Sequence, residues 1–150
     1  MLNSINISHV FVFDQQKALD FYVGKLGLEI GVDADLGPFR WLTVQVPGKP
    51  ESALVLATPD MGHDDETAAA IRELVVKGGG NGVIFNVDDC RKTYEDLRAK
   101  GVEFTQEPTE HFYGIDCGVR DPFGNPLRIT QPAPGPIDIP SPEEFAAESS

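Results

Sequence analysis

The sequence predicts an α+β fold built from two tandem βαβββ modules. Three observations predict this class: an internal repeat, alternating apolar segments in each copy, and a segment with helical spacing between an aspartate and a glycine. The stretch "VFVFDQQKALDFYVGKLGLEI" aligns with "VIFNVDDCRKTYEDLRAKGVEF", which pairs Asp14 with Asp89 and Lys25 with Lys100. Few residues are identical, but both copies predict the same order of strand, helix and strand.

Each copy opens with a strand and a helix. Val10 and Val12 in the first copy, and Val83, Phe85 and Val87 in the second, recur with the period of a half-buried strand. Asp14 and Asp89 follow, and a short carboxylate at this place caps the first free amides of a helix. Gly27 and Gly101 permit the left-handed conformation that ends a helix. We therefore expect one helix in each copy between the aspartate and the glycine.

Three further strands complete each copy. They are predicted at "LEI", "RWLTVQV" and "SALVLAT" in the first and at "VEF", "GIDCGV" and "NPLRIT" in the second, with Gly and Pro turns between them. A single sheet with one helix covers only one of its faces, so we expect the two modules to pair.

These signals divide a single domain into four parts. The first module is expected at 5–59, a connector at 60–81, the second module at 82–131 and a tail at 132–150. The connector contains "DDETAAAIRELVVK", which predicts a short helix with acidic residues at its start. The tail is rich in Pro, Ser and acidic residues, and we expect a surface-wrapping or disordered segment without a chemical role.

Composition narrows the choice of partners. The chain of 150 residues has 12 basic and 24 acidic residues, for a net charge of -12, which repels nucleic acid and anionic membranes. No apolar run is long enough to span a bilayer and no signal peptide is visible. The two cysteines have neither a zinc-ligand spacing nor a disulfide pattern. We expect a cytoplasmic protein without nucleic-acid or membrane partners.

The repeat, the phrases "DQQKALDFYVGKLGLEI" and "VDDCRKTYEDLRAKGVEF", and the closing "RDPFGNPLRI" together resemble the vicinal oxygen chelate superfamily. This superfamily includes glyoxalases, extradiol dioxygenases, fosfomycin-resistance enzymes and bleomycin-resistance proteins. The resemblance covers residues 5–131. It implies curved mixed sheets around a cavity and, because members often pair modules across two chains, a homodimer.

The positions of the superfamily's metal ligands carry other residues in this chain. The resemblance places these ligands at Ile7, at Gly82, within "SALVLAT" and at Arg128, where other members have His or Glu. None of these side chains offers a carboxylate or imidazole donor, and a guanidinium repels a cation. We therefore expect neither a metal nor another cofactor. Bleomycin-resistance-type members similarly bind a ligand without a catalytic metal.

The cavity face of each strand follows from the alternation. The small aliphatic residues of the first strand and of "RWLTVQV" are expected to pack on the helix, which leaves the other face for the cavity. Tyr113 is expected in a loop at the cavity mouth. The residues expected to bind a ligand are His9, Phe11, Trp41, Gln45, Asn86, Tyr113 and Arg128, and none is given a catalytic role.

Several of these residues also have a structural interpretation. His9 can be a structural histidine with satisfied hydrogen bonds, and Arg128 can form an ion pair with Asp88, Asp116 or Glu103. His63, beside acidic residues in "DMGHDDE", is expected in a solvated connector. For Cys90, the acidic neighbours in "DDC" argue against a nucleophilic role.

Two functions remain open. The first is a small-molecule-binding protein without the usual metal ligands, such as one that confers antibiotic resistance by sequestering a drug. The second is a metal-dependent lyase, isomerase or extradiol-type dioxygenase with atypical ligands, such as His9 with Asp88 or His111. A domain whose cavity is filled by its own side chains is a weaker third interpretation.

Overall fold

The computed structural model describes residues 1–149, and it contains the two predicted βαβββ units in tandem. Helix α2 lies between the units and helix α4 follows them. In chain order the elements are β1 (Ser8–Phe11), α1 (Gln15–Tyr22), β2 (Glu29–Asp35), β3 (Arg40–Val46), β4 (Lys49–Ala57), α2 (Asp65–Val76), β5 (Val83–Asn86), α3 (Cys90–Ala99), β6 (Glu103–His111), β7 (Gly114–Arg120), β8 (Pro126–Pro132) and α4 (Pro142–Glu148).

The strands form two separate four-stranded sheets with the same internal order. This order is β1-β4-β3-β2 in the first sheet and β5-β8-β7-β6 in the second. The first strand of each unit pairs in parallel with the last, and the remaining pairs are antiparallel. Both sheets are therefore mixed, as the fold class predicts, but they do not join into a closed barrel within the described chain.

The predicted helix boundaries of both units are confirmed. Asp14 accepts a hydrogen bond from the Lys17 amide at 2.9 Å, and Asp89 accepts one from the Lys92 amide at 3.0 Å. Each aspartate thus satisfies an amide that has no partner inside its helix. After α1 and α3, Gly27 and Gly101 adopt φ values of 80° and 82°. This left-handed conformation returns the chain to the sheet.

One face of each sheet is buried beneath the helices. In the first sheet this face carries Val10, Val12, Leu42, Val44 and Leu56, all fully buried. In the second it carries buried residues from β7 and β8, namely Cys117, Val119, Leu127 and Ile129. The buried residues of both units belong to one hydrophobic cluster, which also contains α1 and α3 side chains. The opposite face of each sheet, called here its open face, has no helix of its own unit packed on it.

A buried polar network joins the two units. The turn between β7 and β8 contains Asp121, whose Oδ1 accepts the backbone N–H groups of Phe123, Gly124 and Asn125 at 2.9, 3.0 and 2.9 Å. Asp121 Oδ2 accepts the Tyr22 hydroxyl and the Asn125 side-chain amide, both at 2.7 Å. That amide also donates to the Phe11 carbonyl at 2.8 Å. The second unit therefore holds both α1 and β1 of the first.

The segments outside the two sheets contain helices. The connector helix is confirmed as α2, with Asp65 and Glu66 in its first turn. The tail contains α4, whereas the sequence was interpreted as a surface-wrapping or disordered segment. Ser141 caps this helix and a proline occupies its first turn, which is a recognised start signal. Within residues 1–149 no helix combines the length and the apolar character needed to cross a membrane.

The two cysteines lie side by side in the core of the second unit. Cys90 Sγ is 3.7 Å from Cys117 Sγ, and both thiols are free and buried. Burial raises the pKa of the Cys90 thiol and, together with the hydrogen bond between the two thiols, raises the pKa of Cys117 to about 12. Both thiols are therefore protonated at neutral pH, which argues against a nucleophilic role for Cys90.

Candidate functional site

The open face of the first sheet carries an aromatic pocket. Strand register places His9 beside Val55 and Phe11 beside Ala57, and Trp41 lies on the same face near the start of β3. These side chains line a cavity of about 300 Å³. The residues that define the aromatic pocket are His9, Phe11, Trp41, Val55, Met61 and His63.

His9 is held in place by a residue that precedes the second sheet. The Asn81 side-chain amide donates to the His9 carbonyl at 3.3 Å and lies 3.2 Å from its Nε2. An amide nitrogen only donates, so Nε2 is the acceptor in this contact. The ring packs edge-on against Phe11, with centroids 4.7 Å apart. The Asn81 amide and the Phe11 ring thus orient His9.

His63 lies in the connector and is exposed, as expected, and it also lines the aromatic pocket. Two successive turns, from Thr58 to Met61 and from Asp60 to His63, fold the segment after β4 back onto the sheet. The His63 ring lies 6.0 Å from the Phe11 ring, and its Nδ1 is 2.9 Å from the Pro59 carbonyl. The turn-forming sequence "TPDMGH" is the signal that could have predicted this return.

A polar cluster occupies the open face of the second sheet. At its centre is Asp116, whose side chain is only 4% exposed. Arg128 donates to Asp116 Oδ2 from Nε at 3.0 Å and from Nη2 at 2.8 Å, and to Gln106 from Nη2 at 2.7 Å. Arg128 thus forms the ion pair that the structural interpretation anticipated. The polar cluster is defined as Gln106, His111, Tyr113, Asp116 and Arg128.

His111 and Tyr113 extend the cluster at the end of the sheet. Their rings stack with centroids 5.0 Å apart and an interplanar angle of 11°. His111 Nε2 lies 3.3 Å from Asp116 Oδ1, although the two atoms are not aligned as a hydrogen bond. Burial, with the charge and hydrogen bond of Asp116, raises the pKa of Tyr113. Tyr113 is therefore a neutral hydroxyl, whose proton is directed to Asp116 and whose oxygen can accept from a ligand.

The lack of a side chain at Gly118 leaves space that the Arg128 guanidinium occupies. A Cβ at this position would lie 3.0 Å from Arg128 Nη1 and 2.5 Å from Thr105 Oγ1. Any side chain would therefore displace the guanidinium or the hydroxyl. The absence of a side chain at Gly118 allows Arg128 to cross β7 and reach Gln106 on β6.

The structure brings some of the predicted site residues together but not all of them. His9, Phe11 and Trp41 share the aromatic pocket, whereas Tyr113 and Arg128 lie in the polar cluster on the other sheet. The remaining two, Gln45 and Asn86, line neither.

Gln45 and Asn86 differ in whether their side chains are already hydrogen-bonded within the protein. Gln45 shares the open face of the first sheet, but its amide donates to Glu29 on β2 at 2.9 Å. Asn86 is exposed on the open face of the second sheet, beside Thr130 of β8. Asn86 is therefore available to a ligand, while Gln45 is occupied in joining two strands.

The residues at the superfamily's metal positions do not fit a metal ion. Ile7 and Gly82 have no donor side chain, and Arg128 brings a cation that Asp116 already pairs. Among residues 1–149, no three His, Cys, Asp or Glu side chains lie together as a possible metal centre. The donor set thus gives no basis for a reaction step through a metal.

Replacing Arg128 with Lys is expected to lower the free energy of unfolding by about 1–2 kcal/mol, because an ammonium cannot reproduce the two hydrogen bonds that Nε and Nη2 donate to Oδ2 of the buried Asp116 carboxylate. Urea denaturation measures the change. Arg40→Lys is a matched control: both arginine side chains are 35% exposed, but Asp33, the partner of Arg40, is 42% exposed. The control is expected to change stability by less than about 1 kcal/mol. Equal losses of unfolding free energy in Arg128→Lys and Arg40→Lys would show that the burial of Asp116 does not strengthen its ion pair with Arg128.

The fold and the two faces define a member of a known class. The chain belongs to the glyoxalase/bleomycin resistance protein/dioxygenase superfamily, whose family model matches residues 2–129. An uncharacterized protein of Bacillus subtilis, YurT, is 33% identical over 127 residues, which cover 85% of this chain and 98% of YurT.

Two solved structures show the same fold. The crystal structure of UcmS2 is 37% identical with a TM-score of 0.81, over 87% of this chain and 98% of UcmS2. TnmS3, an antibiotic binding protein from Streptomyces sp. CB03234, is 26% identical with a TM-score of 0.71, over 88% of this chain and 98% of TnmS3.

Proposed function

We propose that this protein binds a small, planar organic molecule in the aromatic pocket. The observation that carries the proposal is the composition of the 300 Å³ cavity, in which His9, Phe11 and Trp41 present rings next to the flexible thioether of Met61. Aromatic side chains offer a planar ligand large contact areas, and methionine adapts to its outline.

The polar cluster supplies the groups that would orient such a ligand. Arg128 Nη1 is the guanidinium nitrogen without a hydrogen bond to any residue among 1–149, since Nε and Nη2 bind Asp116 and Gln106. Tyr113 carries a neutral hydroxyl. Nη1 of Arg128 can donate hydrogen bonds, which favours a ligand with a carbonyl or another acceptor oxygen.

A homodimer would unite the aromatic pocket with the polar cluster. Within residues 1–149 neither open face has a helix of its own unit packed on it, and Ile84 on the second one is 71% exposed. In a two-fold symmetric dimer, a contact between two different faces occurs twice. The aromatic pocket of one chain can therefore face the polar cluster of its partner. Two equivalent ligand sites would then form, and exposed apolar residues such as Ile84 would be buried.

Drug sequestration is the biological role that we propose. The similarity to TnmS3, which is an antibiotic binding protein, supports this role. The absence of donor side chains at Ile7 and Gly82 supports binding over metal-dependent turnover. A sequestering protein needs affinity and slow release rather than a reactive group.

Intrinsic fluorescence tests the proposal directly, because Trp41 is the only tryptophan in the chain. We expect planar aromatic compounds, including the uncharged naphthalene ketone prodan, to quench Trp41 and to raise the thermal unfolding temperature. Binding at a hundredfold excess over Kd adds about 2.7 kcal/mol to stability. His9→Ala is expected to weaken binding about tenfold, whereas Lys49→Ala at the exposed start of β4 serves as the control. If neither prodan nor any other compound of such a panel quenches Trp41, the proposed function is wrong.

A further inference from the structure

The C-terminal segment, residues 133–149, lies beyond the part of the chain that the family model matches, which ends at residue 129. We call this segment the strap. It contains Pro134, Pro136 and Pro140, followed by helix α4. Each proline fixes one backbone dihedral, so the strap has less conformational freedom to lose on ordering than an ordinary tail of its length.

Both ends of the strap are attached to the same turn of the second unit. At its start, the Ala133 amide donates to the Tyr113 carbonyl at 2.9 Å. Near its end, the Phe145 ring packs edge-on against Phe112, with centroids 6.2 Å apart and an angle of 81°. Because Phe112 and Tyr113 are neighbours, the strap forms a loop that leaves the β6–β7 turn and returns to it.

Helix α4 gives Phe145 a defined position in this loop. The Ser141 hydroxyl caps the helix through the Glu144 amide at 3.2 Å, and Pro142 occupies its first turn. Phe145 follows within the same turn, and its amide donates to the Ser141 carbonyl at 2.9 Å. The cap thus fixes the backbone from which the ring projects onto Phe112.

A continuous row of rings leads from Phe145 to the polar cluster. Phe112 packs edge-on against Tyr113 at 5.2 Å, and Tyr113 stacks on His111, which lies beside Asp116. Phe145 is nevertheless 48% exposed, so about half of its side chain has no protein contact in the single chain. An exposed aromatic ring at the end of such a row is placed to contact a molecule bound at the cluster.

We propose that the strap forms one wall of the ligand site and that Phe145 is a specificity-determining residue, one that slows the release of a planar aromatic ligand. This inference rests on the proposed function, since it assumes that the ligand reaches the polar cluster. A ligand that extends past Tyr113 would cover the exposed part of Phe145. A shorter ligand would not contact Phe145, so the strap would favour longer ligands over shorter ones.

Release of prodan tests the inference in the full chain. Phe145→Ala is expected to raise the dissociation rate of prodan about 3- to 10-fold, as expected for the loss of one aromatic contact. Phe145→Tyr keeps the ring and is expected to restore the wild-type rate. Ile139→Ala is the matched control, because Ile139 lies on the same strap and is 78% exposed but belongs to no ring contact.

Hydrogen exchange provides a readout that a purely structural strap would not change. We expect prodan to increase the protection of amides 142–149 in the wild-type chain but not in Phe145→Ala. If prodan quenches Trp41 but dissociates from Phe145→Ala at the wild-type rate, the role of the strap is overturned while the proposed function stays intact. Absence of prodan binding to the wild-type chain would count against both. Protection that rises with protein concentration alone would assign the strap to contact with a second copy, which also overturns the inference.

Discussion

Replacing Asp121 with Ala is expected to lower the free energy of unfolding by about 3–5 kcal/mol, more than most single substitutions. The side chain is 4% exposed, and its two oxygens accept every donor of the polar network that joins the two units. Alanine would leave the Tyr22 hydroxyl and the backbone N–H groups of Phe123 and Asn125 without their acceptor, while the Asn125 side-chain amide keeps the Phe11 carbonyl. Each buried donor without an acceptor lowers the free energy of unfolding by about 1–3 kcal/mol when water cannot reach it.

Asp35→Ala is the control for this substitution. Asp35 also accepts a backbone N–H, that of Gly37 at 2.9 Å, but it lies on the surface. There water replaces the lost acceptor, so the control is expected to change stability by about 0.5 kcal/mol or less. Urea denaturation of both variants gives the comparison. A loss below about 1 kcal/mol for Asp121→Ala would show that the network does not hold the units together.

Tyr22 adds a pH dependence to the same network. Burial, reinforced by the charge of Asp121 and its hydrogen bond, raises the pKa of Tyr22 far above its ordinary value of about 10. The folded state therefore retains a proton that the unfolded chain releases, so this contribution is complete below about pH 10 and is lost as the pH rises further. Tyr22→Phe is expected to remove that loss. Parallel stability curves for the two proteins above pH 10 would contradict the assignment.

Two variants that each fail to bind prodan are expected to recover about a quarter of the sites when they are mixed in equal amounts. Trp41→Ala damages the aromatic pocket, and Asn86→Trp blocks the exposed open face of the second sheet. If every site combines the first sheet of one chain with the second sheet of its partner, a mixed dimer has one intact site and one with both defects. Random exchange makes about half of the dimers mixed.

Isothermal titration with prodan measures the number and affinity of the recovered sites. The matched control mixes Trp41→Ala with His9→Ala, two defects in the same pocket, and is expected to recover no site of wild-type affinity. Light scattering verifies that every variant is a dimer. Failure of the first mixture to recover sites, with dimers confirmed, would show that each chain binds its ligand alone. A monomeric wild-type chain would refute the dimer itself.

The repeat was the part of the structure most readily predicted from the sequence. Strand alternation, the capping aspartates and the terminating glycines are local signals, and each unit carries them in the same order. The faces of the first sheet followed from the same alternation, so Val10 and Val12 were placed under the helix and His9 on the other side. These features depend on neighbours a few residues away, which is the range that sequence periodicity describes.

The contacts within the site depended on tertiary structure and were predicted less well. His63 reaches the aromatic pocket only because two turns fold the connector back. Asp116 was considered only as one of several partners for Arg128, and its burial depends on the packing of β6 and the β6–β7 turn. Gln45 was placed on the correct face, but a shift in strand register between Ile30 and Asp33 leaves Glu29 beside it as a partner. Such pairings arise from residues that are distant in sequence.

The network around Asp121 also constrains the order in which this chain can complete its structure during synthesis. The hydrogen bond between Tyr22 and Asp121 spans 99 residues, and that between Asn125 and the Phe11 carbonyl spans 114. While a ribosome is still making the second unit, α1 and β1 therefore lack their final partners. Until the second unit is complete, part of the apolar surface of the first unit stays exposed. During that interval a nascent chain is most prone to aggregate or to need a chaperone.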